Sequence, residues 1–353
     1  MIPTYSTTIR RKEMDSVLTC MVDEKIGPGE INTRLIQLAK EFTGCDGAVA
    51  LRSPSIALGY ALKALGIERN SKIMISALAP AWQYKALISM EMEPVVLDVD
   101  ENNGLVTVEG IKKAVIEGGK VLLFHETEGI VPDGNLITEI KEIGVPVIED
   151  ISQSAGAVVQ LKDEDGAVVE EKKAGLFGIY TILGLEERDV LTAGGGALLL
   201  APGRREWIVL KKYTDDAPLT DFLPDINCAL TWVQIKEFNR NEKTRKEIFA
   251  MYQHACLAGK HKLLVREMDQ GSTVSSFPLV LSSSYKDVKQ YASRKDIEIH
   301  LAFENSVIAA FDELSETCIK AKSLYLRTIH FPLYPRLTHS ETAKIVKVLG
   351  TLP

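Results

Sequence analysis

The sequence predicts an α/β fold with a mostly parallel central sheet, helices on both of its faces, and a smaller C-terminal α+β unit. Short β-rich runs alternate with helix-like runs along the first 150 residues, an order typical of right-handed crossovers between parallel strands. Three β-rich runs are apolar on both side-chain parities, as strands buried on both faces of a sheet require: VVLDV, KVLLF and VPVIED. The order of elements and these apolar runs together favour the fold class.

The first predicted strand, residues 47–52, leads directly into a predicted helix over residues 54–65. Ser53 suits the N-cap of that helix and Pro54 suits its first position, where the missing N–H of proline costs no hydrogen bond. The same alternation continues as strand 72–76, helix 80–92, strand 94–100, helix 108–119, strand 120–125, helix 134–144 and strand 145–150.

The pattern loosens after residue 150. The charged segment 161–173 has a central Asp-Gly pair and predicts an exposed hairpin or loop. Strands are predicted at residues 176–183 and 196–201, on either side of a polar, glycine-rich turn. A long helix is predicted from about Asn227 to Leu257.

The C-terminal part of the chain predicts the smaller unit, with a strand in SFPLVL and a final helix in ETAKIVKVL. The boundary between the large unit and this smaller unit falls inside or just after the long predicted helix. We therefore expect a large domain of residues 1–245, which includes an N-terminal arm, and a small α+β domain of residues 246–353.

Composition indicates a soluble globular protein. The chain has 353 residues, of which 46% are hydrophobic and 25% charged, the balance of a protein with a sizeable core. The formal net charge of −7 argues against nucleic acid as a partner, because phosphate binding needs a concentrated basic face. The N-terminus has no apolar signal region, and no apolar run reaches the length of a membrane span, so we expect a cytoplasmic protein.

The sequence shows no metal-binding pattern, since it has no HExxH, no CxxC pair and no histidine cluster with metal spacing. We expect no metal cofactor. Its cysteines form an odd set, which is typical of reduced, buried thiols in a cytoplasmic protein: Cys20, Cys45, Cys228, Cys256 and Cys318.

The candidate functional residues lie in the loops that follow the strands, because ligands of open parallel sheets bind beyond the carboxyl ends of the strands. Four loops qualify: residues 52–55, 125–129, 150–154 and 192–196. Asp150 ends an apolar strand, and it is either a functional carboxylate or the N-cap of a following helix. His125 is either a hydrogen-bonded structural residue or an acid–base group.

Taken in order, these segments resemble the DegT/DnrJ/EryC1/StrS sugar aminotransferases, a family of pyridoxal-phosphate (PLP) enzymes of fold type I. The resemblance covers almost the whole chain and rests on seven segments in register: IGPGEINTRLIQLAKEFTGCDGAVALRSPSIAL, EPVVLDVDENNGLV, LLFHETEGIVPD, VIEDISQSAGA, LTAGGGALLL, DINCALTWVQIKEF and HFPLYPRLTHSETAKIVKVL. It implies the PLP-transferase fold, a homodimer whose sites form at the subunit interface, and a nucleotide-linked sugar as the substrate class.

The resemblance also implies roles for individual residues in holding PLP. Asp150 matches the aspartate that pairs with the pyridine nitrogen, which lets the ring act as an electron sink. Gln153 matches the glutamine near the ring oxygen, and His125 matches the histidine at the end of the preceding strand. Ser55 and Thr181 match residues that contact the cofactor phosphate.

The lysine that would form the Schiff base with PLP is replaced. In the family it precedes a glycine pair by seven positions, and counting back from Gly195 gives Arg188. No lysine lies between Lys173 and Lys211. Arginine stays protonated and forms no internal aldimine. Related dehydratases that use pyridoxamine phosphate (PMP) carry histidine at this position, and this chain lacks that residue too.

Other positions depart from the family pattern in the same direction. The aromatic residue that stacks on the ring falls on Pro80, with Trp82 close by as a substitute, and a glycine of the phosphate loop falls on Pro54. The family's asparagine that crosses the dimer interface to the partner's phosphate falls on Thr220, and the arginine of the same motif falls on Phe222.

Two hypotheses follow from the resemblance. The first is a degenerate member of the family in nucleotide-sugar or surface-polysaccharide biosynthesis that performs no ordinary transamination. It binds a nucleotide sugar or another anionic small molecule, with Arg188 as an anion clamp. The alternative is an aminotransferase or dehydratase for a nucleotide-linked keto sugar that holds PLP or PMP without a covalent bond. In the alternative, His125, Glu186 or Glu187 is the base that moves the proton.

Overall fold

The computed structural model describes residues 1–162, 168–257, 259–265 and 271–353. The strands of the first 201 residues are β1 (Gly47–Leu51), β2 (Lys72–Ser76), β3 (Glu93–Leu97), β4 (Gly119–His125), β5 (Val147–Asp150), β6 (Val158–Lys162), β7 (Val168–Lys173), β8 (Tyr180–Gly184) and β9 (Ala197–Ala201). β6 and β7 pair as a separate antiparallel ribbon. The other strands form one seven-stranded sheet in the order β3-β2-β4-β5-β8-β9-β1.

The large sheet is mostly parallel, as predicted. Neighbouring strands pair in parallel from β3 to β8, and β9 runs antiparallel to both β8 and β1. Because the parallel strands all point the same way, the loops after β4 and β5 meet at one edge of the sheet.

Helices cover both faces of this sheet, which confirms the prediction. They are α1 (Arg11–Val22), α2 (Glu30–Thr43), α3 (Pro54–Ala64), α4 (Ala81–Ser89), α5 (Val108–Ile116), α6 (Gly134–Ile143), α7 (Arg204–Thr214), α8 (Asp225–Lys236) and α9 (Phe238–Cys256). α3, α4 and α7 pack on one face through Leu58, Leu87 and Leu210. On the other face, α2 packs through Leu35 and α5 through Ile111.

The burial of the strands follows their place in the sheet. β4 and β5 are buried almost throughout, as their apolar runs predict. β3 is less completely buried than its apolar run predicts, since Val95 and Val96 are only half-buried. Both still pack against the hydrophobic core, Val96 against clusters on both faces of the sheet and Val95 against one of them.

The C-terminal part forms a second, antiparallel sheet beside α9. Its strands are β10 (Lys262–Leu263), β11 (Phe277–Val280), β12 (His300–Leu301) and β13 (Thr328–Phe331), and its helices are α10 (Tyr285–Ser293), α11 (Val307–Ala310), α12 (Ile319–Arg327) and α13 (His339–Leu349). Phe249 and Tyr252 of α9 pack against Phe277. The α+β unit is present as predicted. Its predicted boundary at residue 245 falls inside α9, and the division into two domains stays a prediction.

Two predicted elements differ from the structure or lie outside it. The long helix is two helices, because α8 ends at Lys236 and α9 starts at Phe238, with Glu237 between them at φ −92° and ψ 2°. Residues 163–167 of the predicted hairpin, including its Asp-Gly pair, lie outside the described residues. β6 and β7 are the paired strands on either side of that segment.

Candidate functional site

A cleft of about 500 Å³ lies at the carboxyl edge of the parallel strands, where it faces the second sheet. The large sheet contributes the loops after β4 and β5, and the second sheet contributes the end of β13 and the segment after it. Residues 4–8 of the N-terminal segment line the cleft as well. This is the position at which open parallel sheets bind ligands.

The cleft brings together part of the predicted site. The predicted residues that line it are Trp82, His125, Gln153 and Arg188. The two alternative bases also line it: Glu186 and Glu187. Three predicted residues are not among its lining: Asp150, Thr181 and Ser55. Asp150 and Thr181 are buried and lie behind the wall of the cleft, and Ser55 is half-buried outside its lining.

Asp150 ends β5 with its carboxylate buried. Its Oδ2 accepts a hydrogen bond from Gln83 Nε2 at 2.7 Å and lies 3.0 Å from His125 Nδ1. Its Oδ1 accepts from the backbone N–H of Ser152 at 3.1 Å and from the Ser152 hydroxyl at 2.5 Å. A carboxylate offers about four acceptor positions, so groups of the protein itself fill all of them.

These contacts keep Asp150 ionised and show that it caps no helix. Burial opposes the charged form, but the His125 ring and the hydrogen bonds from Ser152 outweigh it and lower the pKa of Asp150 from its ordinary value of 3.8. Residues 152–156 form turns rather than a helix, so the N-cap interpretation of Asp150 is wrong. The Ser152 N–H bond is a local turn contact instead. His125 is hydrogen-bonded and also lines the cleft, so both of its interpretations stay open.

Arg188 is engaged by groups at the entrance of the cleft. Its Nη1 donates to Glu304 Oε1 at 2.8 Å, and its guanidinium lies 4.2 Å from the centroid of the Tyr5 ring. The group expected to clamp an anion is therefore already paired with a carboxylate. No lysine lines the cleft in the described part of the chain, and Lys211 and Lys212 lie in the last turn of α7.

Two hydroxyl residues in the segments expected near a phosphate, Ser53 and Thr181, hydrogen-bond to the backbone of the protein. Ser53 Oγ accepts from the N–H of Ile56, so Ser53 is the predicted N-cap of α3, and Pro54 fills the first position. Proline offers no N–H to an anion. Thr181 is buried in β8 and donates its hydroxyl to the carbonyl of Gly175 at 2.7 Å.

The structure adds residues that the sequence analysis did not single out. Tyr5, Glu128 and His330 line the cleft and are hydrogen-bonded in series. Glu128 lies in a short 3₁₀ turn with φ of 56°, a conformation that is uncommon outside glycine and clusters at functional sites. No sequence pattern links the three residues, because they are far apart in the chain; the positive φ is visible only in the structure.

The lining of the cleft is polar and more acidic than basic. Its carboxylates are Glu128, Glu186, Glu187 and Asp189. Its guanidinium groups, among the described residues, are both paired: Arg188 with Glu304 and Arg245 with Glu242. Hydroxyl groups line it from several segments: Thr4, Ser6, Thr7, Thr8, Ser152, Ser275, Ser276 and Ser306. This chemistry suits a ligand with many hydroxyls better than a bare polyanion.

The described residues form neither a metal-binding cluster nor a helix that could cross a membrane. No group of three or more His, Cys, Asp or Glu there is placed to hold a metal ion. No described helix combines the length and the apolar character that crossing a bilayer requires. All five cysteines are free and buried, as the sequence predicts.

A family model and a set of solved structures match this chain. The model of the DegT/DnrJ/EryC1/StrS aminotransferase family matches residues 7–207 and 212–350. The aminotransferase TlmJ from Streptoalloteichus hindustanus has a TM-score of 0.84 at 17% identity, covering 99% of this chain and 98% of that chain.

Two further neighbours are sugar dehydratases. The E. coli GDP-4-keto-6-deoxy-D-mannose-3-dehydratase with bound hydrated PLP has a TM-score of 0.80 at 15% identity, covering 99% of both chains. A mutant GDP-4-keto-6-deoxymannose-3-dehydratase with bound GDP-perosamine has a TM-score of 0.81 at 16% identity, covering 99% of this chain and 100% of that chain. The fold is thus the PLP-transferase fold type I, as predicted.

Proposed function

This chain belongs to the DegT/DnrJ/EryC1/StrS aminotransferase family, and on that premise we propose that it binds a nucleotide-linked sugar without transaminating through a lysine Schiff base. Its place is in nucleotide-sugar or surface-polysaccharide biosynthesis. The observation that carries the proposal is that no described residue lining the cleft is a lysine. A covalent aldimine needs a primary amine, and Arg188 at the family position does not supply one.

The residues present do not fit PLP held in the family manner. When bound, PLP supplies an electron sink whose protonated ring nitrogen needs a carboxylate partner. Asp150 stands at that position, but Gln83, His125 and Ser152 fill its acceptor positions. Asp150 is also no part of the wall of the cleft.

The lining supports a sugar as the ligand. Serine and threonine hydroxyls surround the cleft, and Glu186 and Glu187 offer carboxylate oxygens that accept hydrogen bonds from sugar hydroxyls. Trp82 and Phe303 add aromatic surface to the same wall. Pockets of this kind, with apolar surface and a few placed polar groups, bind small molecules specifically. The GDP-perosamine bound by one structural neighbour supports this ligand class.

The second candidate function is a PLP- or PMP-dependent aminotransferase or dehydratase that holds its cofactor without a covalent bond. The buried pair of His125, which lines the cleft, and Asp150 behind it favours this candidate, and so does the hydrated PLP of one neighbour. This candidate requires Gln83 to release Asp150. It also requires His125, Glu186 or Glu187 to serve as the base.

Titration with PLP and PMP separates the two candidates. We expect no absorbance band that sodium borohydride fixes to the wild-type protein. We expect GDP-, UDP- or dTDP-linked 4-keto-6-deoxysugars to raise its melting temperature. Arg188→Lys restores an amine at the family position, yet we expect no more borohydride-stable adduct there than on a surface lysine, because Asp150 has no free acceptor position with which to hold the PLP ring nitrogen beside it. Arg69→Lys is the control for adventitious lysine adducts, since Arg69 lies in an exposed ion pair with Glu91.

Two results would contradict the proposal. One is a borohydride-stable PLP adduct on the wild-type protein that mass spectrometry assigns to a single lysine. The other is a non-covalent PLP band that glutamate converts to PMP and that the folded Asp150→Asn variant lacks, since an amide does not hold the ring nitrogen protonated; this would establish the second candidate.

The proposal extends to a cytoplasmic homodimer. The buried, free state of all five cysteines supports a reducing compartment, and the family resemblance supports the dimer. Light scattering coupled to size-exclusion chromatography measures the oligomeric state, and a mass of 38.9 kDa for the particle in solution would contradict the dimer.

A further inference from the structure

Three side chains on the wall of the cleft form a hydrogen-bonded series that the proposed function does not use. Tyr5 Oη lies 3.0 Å from His330 Nδ1, and His330 Nε2 lies 2.7 Å from Glu128 Oε2. All three residues line the cleft. A hydroxyl, an imidazole and a carboxylate in this order are the arrangement that activates the hydroxyl in a catalytic triad.

The surrounding structure holds the series in place. Ser276 Oγ donates to Glu128 Oε2, and the backbone N–H of Glu128 donates to Gln153 Oε1 at 2.6 Å. His330 lies in β13, a buried strand of the second sheet. Side chains fixed in this way beside a cleft meet the requirement of a catalytic site for pre-organised geometry.

Arg188 adds a positive charge beside the phenol. Its guanidinium lies 4.2 Å from the centroid of the Tyr5 ring, close enough for a cation–π contact, and it stabilises an anionic ring more than a neutral one. Burial raises the pKa of Tyr5 above its ordinary value of 10.0, and Arg188 opposes that rise. The resting phenol is therefore protonated, and it needs His330 to accept its proton when it acts.

We propose that Tyr5 is the catalytic residue of a proton-transfer activity on a keto sugar bound in the cleft, with His330 and Glu128 as positioning residues. The ligand class rests on the proposed function. Tyr5 Oη takes a proton from the carbon next to the keto group while its own proton passes to His330 Nδ1. The electron pair of the broken C–H bond moves to the keto oxygen and forms an enolate.

Return of a proton to the same carbon regenerates the ketone and the resting triad. Delivery by Tyr5 to the same face gives hydrogen exchange once its proton has exchanged with the solvent. Delivery by water to the opposite face gives epimerisation, and His330 then releases its extra proton to the hydroxide that is left. Neither outcome consumes an oxidant, a reductant or a cofactor. The carboxylate of Glu128 offsets the positive charge that His330 carries while it holds the second proton.

The competing explanation is that the series only fastens the N-terminal segment to the second sheet. Backbone hydrogen bonds already do so, because the N–H of Ile2 donates to the carbonyl of Asp296 at 2.7 Å and the N–H of Glu298 donates to the carbonyl of Ile2 at 2.9 Å. The N–H of Thr4 also donates to the Glu298 carboxylate. The segment is thus held without the Tyr5 hydroxyl, and we expect Tyr5→Phe to fold normally.

Hydrogen exchange tests the proposal directly. Proton NMR in D₂O with GDP-4-keto-6-deoxymannose follows the signals of the hydrogens on the carbons that flank the keto group. We expect Tyr5→Phe to exchange them roughly 10²–10⁴-fold more slowly than the wild type, while the nucleotide sugar still raises its melting temperature. Tyr291→Phe is the matched control, since it loses a phenol hydrogen-bonded to Thr351 outside the cleft, and it should exchange like the wild type.

Acetylation gives a second readout that needs no sugar. N-acetylimidazole transfers its acetyl group to a phenol oxygen and releases imidazole, and mass spectrometry locates the modified tyrosine. We expect His330→Gln to slow the acetylation of Tyr5, because glutamine hydrogen-bonds but takes up no proton. The exposed Tyr213 is the internal control and should react at the same rate in both proteins.

The outcomes separate this inference from the proposed function. A melting shift without exchange above the Tyr5→Phe level overturns the triad and leaves the proposed function standing. The absence of any melting shift overturns the proposed ligand, and the acetylation rates then decide on the triad by themselves. An unchanged rate of Tyr5 acetylation in His330→Gln overturns it.

Discussion

Replacing Asp150 by alanine is expected to destabilise the protein strongly, because its carboxylate satisfies buried groups of the chain itself. In the variant, Gln83 Nε2, His125 Nδ1 and the N–H of Ser152 lose their acceptor. Gln83 is 0% exposed and His125 3% exposed, so water does not replace the lost partner without rearrangement. If the carboxylate instead served only to bind a ligand, its removal would hardly change the free energy of unfolding of the unliganded protein.

The size of this loss of stability can be estimated from the contacts of Asp150. Removing one partner from a buried charged network costs about 3–5 kcal/mol of the free energy of unfolding. Asp150→Asn is expected to cost only about 1–2 kcal/mol. Asparagine Oδ1 still accepts from Ser152, and Gln83 Oε1, which is buried without a hydrogen-bond partner, accepts from the new amide once the Gln83 amide turns over. With an m-value of about 3 kcal/mol per molar urea, the alanine variant should unfold at a midpoint lower by about 1–1.7 M.

Urea unfolding at pH 7, followed by tryptophan fluorescence and by circular dichroism, measures both variants against the wild type. A midpoint for Asp150→Ala within about 0.3 M of the wild type would refute this account and leave the carboxylate available to a ligand. The pH dependence gives a second check. Because the pKa of Asp150 is lowered in the folded state, its contribution is present above the unfolded value of 3.8 and is lost as the pH falls through the folded value. The stability difference between the wild type and Asp150→Asn should therefore shrink in acid.

Gly156→Ala is expected to cost about 2–5 kcal/mol in urea unfolding, because Gly156 has φ of 83° and an added Cβ would lie 2.5 Å from the Phe238 ring. Gly66→Ala also has positive φ but meets nothing within 4 Å; equal midpoints for the two variants would contradict the packing at Phe238. Ellman's reagent is expected to label none of the five cysteines before urea unfolds the protein, since all are buried. Rapid labelling of the native protein, located by mass spectrometry, would show which thiol is exposed instead.

The large sheet was predictable because its signals are local. Each strand of the sheet is marked by an apolar run of a few consecutive residues, and the predicted strand 72–76 coincides with β2. The cap at Ser53 and the proline after it fix the start of α3 through contacts within four residues. The break at Glu237 has no such signal, because the sequence offers neither glycine nor proline there; the helices separate as each packs on its own part of the core.

The site was predictable only where the family resemblance assigns a position. It places Asp150 next to the cleft, but it does not show that Gln83 occupies one of the carboxylate oxygens, because that contact joins α4 to β5 across the sheet. The series of Tyr5, His330 and Glu128 joins three segments that are close only in the folded chain. No fixed spacing along the sequence relates these three residues to one another, so only the folded structure shows that they are in contact.

The position of β1 at the edge of the large sheet also bears on how the chain is made. Its neighbour in the sheet is β9, and about 150 residues separate the two strands. At a synthesis rate of about 5–20 residues per second, β1 waits roughly 7–30 s for its partner to leave the ribosome. Through that interval an apolar strand stands unpaired, which is the kind of segment that aggregates or engages chaperones. Slow codons or scarce chaperones would therefore act on this protein through its first strand, long before the cleft exists.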